Sequence, residues 1–420
     1  MTWFIIWLLV VLCFGMLVHG LLVPGRFYQY PFFAAGIFLT FVLPQLPGLA
    51  NSRFIPEAAL IKTLIFSFFC LAMCGIGWRF GMRSKTLKDH AFSEPHLLLA
   101  AAFLSLVGAY FFFKFGRLPD EERLRGILTG TAVAYLFFAK LLTYGFALAL
   151  LCFARRASIP ALCIILFDTL FYLERIVIAG RRGETAEFCL LIALAFWFQK
   201  RWAAPRIAVV GGLVFSIVGL LGAGEYREAT YYEQQGWGAV ANIDLAANWN
   251  RMLKEGGSEM TNAVVAIDHV DQSQVLDFGI EHWNSLVFSY VPAQLVGTDF
   301  KRSLIIDMAP IYGKFYFPGI GSTSTGMADA FASFWYFGCL KFFLVAYLMG
   351  RLYDSALRGN TASQIIYMLS AVPSILVVSH FTNEIVIAWV HMAVFLVPAL
   401  YYARVTNYVA PPNLGNIRLG

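Results

Sequence analysis

The stretch AGRRGETAEF, residues 179–188, sets Arg181 beside Arg182 with Glu184 and Glu187 close behind, in a chain of which only 13% of the residues are charged. A guanidinium keeps its charge at any ordinary pH and matches phosphate oxygens two at a time, so such a pair suits a diphosphate. The competing partners are Glu174, Glu184 and Glu187, or ordinary lipid headgroups reached by snorkelling. Arg175, Arg227, Arg251, Lys254, Lys301, Arg302 and Lys314 are the other basic residues read onto the same side. A second stretch, FPGIGSTSTGMADAF at 317–331, combines glycines that permit close approach, hydroxyls that cap a helix start, and Asp329 one turn in. Asp329 either presents a carboxylate to a cavity or offsets a helix dipole. In the third, SHFTNEI at 379–385, His380 and Glu384 either take a proton from a sugar hydroxyl or form the solvated ends of a turn capped by Asn383.

The elements that must carry these residues are membrane helices. In this chain of 420 residues, 59% are hydrophobic and 40 are Phe, with a mean hydropathy of +0.68. Soluble domains stay nearer one half apolar. Apolar runs lie near 2–22, 31–49, 57–78, 97–115, 129–153, 158–179, 186–199, 206–223, 327–350, 363–380 and 384–403. The expected fold is therefore all-α and polytopic, with about 11 transmembrane helices. The first run has neither a basic flank nor a small-residue cleavage site and reads as a retained span.

The expected organisation is a bundle of about eight spans over 1–223, a large loop over 224–326, about three spans over 327–404 and a tail over 405–420. Within the loop, 239–255 and 274–296 have the spacing of short amphipathic helices that lie in or dip into the interface. The loop is rich in aromatics, which either stack on sugars or form an interfacial belt. Basic connections at 79–88, 155–156, 200–206, 351–358 and 404 share one face, expected to be cytoplasmic. Arg181 and Arg182 then fall on the opposite face, where loop cations are disfavoured. All seven cysteines lie in apolar runs without metal-ligand spacing and read as buried free thiols. Hydrolase, zinc-protease, P-loop and acidic metal motifs are missing, so neither a metal nor another cofactor is expected. Membrane lipids are expected neighbours, and nucleic acid is not.

The passage PGIGSTSTGMADAFASFWYFG, the arginine turn GRRGE and the long late loop together resemble the Wzy-type O-antigen polymerases, which join oligosaccharide repeat units in bacterial envelopes. The likeness covers roughly residues 170–350. It is carried by Gly321, Thr325, Asp329, Phe334, Phe337 and Gly338, and by FSYVPAQLVGTDFKRSL at 288–304, whose basic residue is Lys301 or Arg302. Family members often have Glu where this chain has Asp329, which keeps a carboxylate but shortens its reach.

The resemblance implies an all-helical glycosyltransferase of the bacterial inner membrane with its active site facing the periplasm. It would transfer a glycan from undecaprenyl diphosphate to a lipid-linked repeat unit, with a chain-length regulator as a further partner. Arg181 and Arg182 would hold the diphosphate, and Arg302, Arg227 and Lys314 would close over it. Asp329, His380 and Glu384, in that order, are the candidate bases, while Tyr232, Trp283 and Tyr312 would line the glycan path. An O-antigen ligase would use the same donor with another acceptor. A non-enzymatic carrier would place broken helices and charged pairs near the bilayer midplane, where Asp168 and Lys140 are the clearest polar groups.

Overall fold

The computed structural model describes residues 1–123, 130–227, 242–307 and 323–405, together with 229 and 240. The described residues are helical, and their only strand-like pairing is one antiparallel bridge between Phe92 and Arg404. In chain order the membrane elements are α1 (Thr2–Leu22), α2 (Tyr30–Asn51), α3 (Glu57–Met82), α4 (Glu94–Gly116) and α5 (Thr131–Arg155). Next come α6 (Ile159–Leu173), α7 (Arg182–Lys200) and α8 (Arg206–Arg227). After them run α9 (Leu245–Glu255), α10 (Ser258–Ser273), α11 (Ile280–Tyr290) and α12 (Thr298–Leu304). The chain continues as α13 (Thr325–Phe334), α14 (Cys339–Leu357), α15 (Thr361–Ser379) and α16 (Glu384–Ala403).

Eight runs among the described residues are long and apolar enough to cross a bilayer: α1 to α5, the run Thr325–Leu357, α15 and α16. In lipid each such segment must satisfy its own backbone, which a helix does. The expected crossings at 158–179, 186–199 and 206–223 coincide with α6, α7 and α8, which are helical but fall short of that measure. By length and apolarity the structure supports eight of the roughly eleven expected crossings.

Glycines set the close contact between α3 and α14. A Cβ on Gly77 would lie 2.2 Å from the Phe343 carbonyl oxygen, and one on Gly81 would lie 2.1 Å from that of Tyr347. Two small residues one turn apart on α3 thus admit the backbone of α14, as membrane helices commonly do. All seven cysteines are free; five are buried, while Cys163 and Cys189 are exposed, so the expectation of burial fails for those two.

The five basic connections meet at one end of the bundle. Arg351 donates to the Lys85 carbonyl and Asn360 to that of Lys88. Arg155 donates to Thr361 Oγ1, Lys200 to the Arg155 carbonyl, and Arg201 to the Leu357 carbonyl. Val405 N–H reaches Ala91, closing the ring at Arg404. Following α7, α15 and α16 away from this end leads to Arg182, Ser379 and Glu384, so the arginine turn and the 380–383 turn share the opposite end.

The segment after α8 packs onto the membrane helices. Gln45 Oε1 accepts the Met260 N–H at 3.1 Å, and Lys62 of α3 pairs with Asp268 and Asp271 on α10. The buried face of α10 is Met260, Ala263, Val264, Ile267 and Val270. The expected domain limits at 223 and 326 fall inside α8 and the first turn of α13. The expected unbroken span at 327–350 is interrupted by a 3-10 turn, Trp335–Gly338, where Trp335 has φ +54 and Gly338 lies against the Ala330 carbonyl.

Candidate functional site

The arginine turn is built by local backbone rules. α6 passes into a π-helical turn, Glu174–Ile178, and Gly180 then reverses the chain at φ +58. Such a conformation is open to glycine and strained for most other residues. Arg181 precedes α7 and its carbonyl receives the Thr185 N–H, so both guanidiniums start at the N-terminus of a 19-residue helix. Cations there oppose the helix dipole, typically by about 0.3–1 kcal/mol each at a surface. Helix stability therefore does not explain them, whereas the same dipole adds to their attraction for an anion.

Both arginines are exposed and line a cavity of about 1500 Å³. His380, Glu384 and Tyr226 stand at the same end of it, so four of the residues singled out in the sequence converge. Arg175 joins them. It stacks 4.7 Å from the Tyr172 ring centroid and pairs with Glu184 at 3.1 Å. Among the described residues Arg181 has no carboxylate within ion-pair distance, while Arg182 Nη1 reaches the Gly219 carbonyl at 3.3 Å. Of the neighbouring glutamates, Glu184 pairs with Arg175.

Deeper in, the wall is mixed. Glu187 Oε2 accepts from the hydroxyls of Tyr172 at 3.1 Å and Thr143 at 3.3 Å, with Lys140 and Tyr144 on the same wall. Tyr144 OH lies 2.6 Å from His391 Nδ1, and His391 Nε2 lies 3.0 Å from the Phe137 carbonyl. A carbonyl only accepts, so Nε2 carries the proton and Nδ1 accepts from the tyrosine.

The remainder of the cavity is an apolar shaft between α2, α7, α8 and α15, lined by residues such as Phe33, Phe41, Leu190, Leu213 and Leu376. It extends to Tyr28 and Ala204, which bond to each other near the basic end. One flank of α8 faces it for most of that helix. Two π-helical turns, Phe38–Val42 and Glu174–Ile178, contribute to the wall, as π turns often do at functional sites.

His380 follows α15 with Ser379 Oγ 2.9 Å from its Nδ1. Burial among cavity walls lowers its pKa below the ordinary histidine value; Glu384 opposes that shift and Arg182 reinforces it. The ring is therefore neutral at pH 7 and able to take a proton.

The other expected residues lie elsewhere. Asp329 is buried in α13, outside the cavity wall, with Lys341 and His282 each 3.9 Å from it. Arg302 is exposed on α12 and does not line the cavity. Trp283 is 48% exposed and bonds to the Leu304 carbonyl, tying α11 to the end of α12. Tyr232, Tyr312 and Lys314, and the side chain of Arg227, lie outside the described residues.

Sequence reasoning gave no role to His282 or Lys341, read Glu187 only as a partner for the arginines, and left Lys140 as a midspan polar group. Lys140 and Lys341 interrupt long apolar runs, which is a signal of expense and hence of function, although it does not say what the charge faces. Among the described residues no three His, Cys, Asp or Glu side chains gather as a metal site would need. No known protein family, characterised protein or solved structure matches this chain.

Proposed function

We propose that the chain is a membrane glycosyltransferase that elongates a bacterial surface polysaccharide from polyprenyl-diphosphate-linked repeat units. The observation that carries this reading is one cavity with arginines and a neutral histidine at one end and an apolar shaft running toward the other. A ligand matching both parts has a multiply charged anionic head and a long hydrocarbon chain. The proposed orientation puts the basic end in the cytoplasm and the arginine end in the periplasm, with α6, α7 and α8 completing about eleven crossings.

In the reaction, the acceptor hydroxyl oxygen attacks the anomeric carbon of the donor while the bond from that carbon to the diphosphate breaks. The hydroxyl proton passes to His380 or Glu384. Charge develops on the leaving diphosphate, where Arg181 and Arg182, aided by the start of α7, stabilise it in surroundings poorer in water than the bulk. Elongation requires no cofactor in this scheme. An O-antigen ligase would work identically up to the choice of acceptor.

One observation favours a second reading, a carrier for the same lipid. The run Thr325–Leu357 is broken and places Asp329 and Lys341 within a membrane-crossing segment, as transporters do. The two readings separate in nanodiscs given the host's lipid-linked oligosaccharide. A ladder of longer glycans on a gel supports elongation. Lipid that binds and is never lengthened contradicts it.

A further inference from the structure

The turn that carries His380 and Glu384 is gripped from its other side. Asp329 Oδ2 accepts from the Thr382 N–H at 2.8 Å and from the Thr382 hydroxyl at 2.5 Å. Two side chains crowd the same hydroxyl oxygen: His282 Nε2 at 2.8 Å and Lys341 Nζ at 3.3 Å, and these two nitrogens lie 3.2 Å apart. A threonine hydroxyl has one proton and two lone pairs. Its proton goes to Asp329 and one lone pair takes the lysine, with the histidine ring against the same oxygen.

These partners come from three different helices: α13, α11 and α14. Lys341 is itself fixed by Ser333 Oγ at 2.7 Å and lies 3.9 Å from Asp329 Oδ1. Two further contacts steady the same turn. Thr323 Oγ1 donates to the Ser379 carbonyl at 2.9 Å, and a Cβ on Gly326 would lie 1.8 Å from the Val377 carbonyl oxygen. Buried charges are costly unless paired and bonded, and here Asp329, Lys341 and His282 each contact Thr382 of this one turn. His380 and Glu384 flank Thr382 and line the cavity, while Thr382 does not.

We infer that Asp329 is a positioning residue, which through Thr382 holds the 379–384 turn so that His380 and Glu384 face the cavity. Its effect on glycan transfer rests on the proposed function; its effect on the turn does not. This replaces the role of base expected for Asp329, because one of its oxygens is committed to Thr382, the other lies beside Lys341, and neither borders the cavity. The charged groups acting on His380 are Glu384, Arg182 and Glu259, and none of them is altered in the test.

The test is the titration of His380 by NMR in full-length, histidine-labelled protein, with His380→Gln used for assignment. Thr382→Val removes the hydroxyl at nearly constant shape, and Asp329→Asn removes the charge. Both are expected to move the His380 midpoint up toward about 6.5, the ordinary value, as the ring leaves its enclosure. Thr382→Ser, which keeps the hydroxyl, is expected to hold the midpoint in place. For elongation, Thr382→Val should lower kcat about a hundredfold with KM for the lipid-linked donor unchanged, because the arginines stay in place. A midpoint unmoved in both Thr382→Val and Asp329→Asn overturns the assignment. A moved midpoint in a protein that lengthens no glycan upholds it and removes the glycosyltransferase reading instead.

Discussion

At the scale of single residues, the site is made of side chains that break a local rule. Arg181 and Arg182 sit where the dipole of α7 repels them, and His380 and Glu384 interrupt the turn of an otherwise apolar hairpin. That is why they were legible in the sequence. Asp329 was legible as chemistry but not in direction, because the spacing of α13 does not say whether its carboxylate meets a cavity or Thr382. The state of His380 leads to a prediction. Its lowered pKa means that the protonated form accumulates only below the ordinary value of about 6.5, so with His380 as the base of the proposed transfer the acid limb of the rate profile should fall below that pH. Glu384→Gln removes an influence that raises the pKa and should lower the NMR midpoint further, whereas Arg182→Gln should raise it. Opposite movements would show that the ring is not placed between these two charges.

At the scale of elements, continuous apolar runs located the helices, because a helix is the means by which a lone segment satisfies its backbone in lipid. What interrupts a helix was harder to read. The break at Trp335–Gly338 lies inside an unbroken apolar run and depends on the close approach of Gly338 to Ala330. The helix α10 was also missed; its apolar residues have helical spacing, but the polar sequence DHVDQS obscures it until Lys62 supplies a partner for both aspartates. The pair Gly77 and Gly81 carries a stability prediction. Replacing Gly81 with Val forces α3 away from the α14 backbone and should cost about 1–3 kcal/mol, read as a lower midpoint of thermal unfolding in detergent. A midpoint unchanged from wild type would mean that these two helices are not in contact there.

At the scale of the whole molecule, the charge distribution in the sequence anticipated the arrangement, since the five basic connections do share one end and the arginine turn lies at the other. The cavity joining those ends was not legible, because its walls come from α2, α5, α7, α8, α15 and α16, stretches from distant parts of the chain that meet only in the fold. It gives the molecule a polar mouth and an apolar shaft aligned with the crossing helices, and the functional account depends on a lipid diphosphate lying along it. The most direct measurement is equilibrium binding of a polyprenyl diphosphate to purified protein, compared with the uncharged polyprenol and with the Arg181→Ala, Arg182→Ala double variant. The account predicts tighter binding of the diphosphate than of the polyprenol, and a loss of at least about tenfold for each arginine removed, as expected for charge-assisted contacts. Equal affinity for diphosphate and polyprenol, or full diphosphate affinity in a correctly folded double variant, would contradict it.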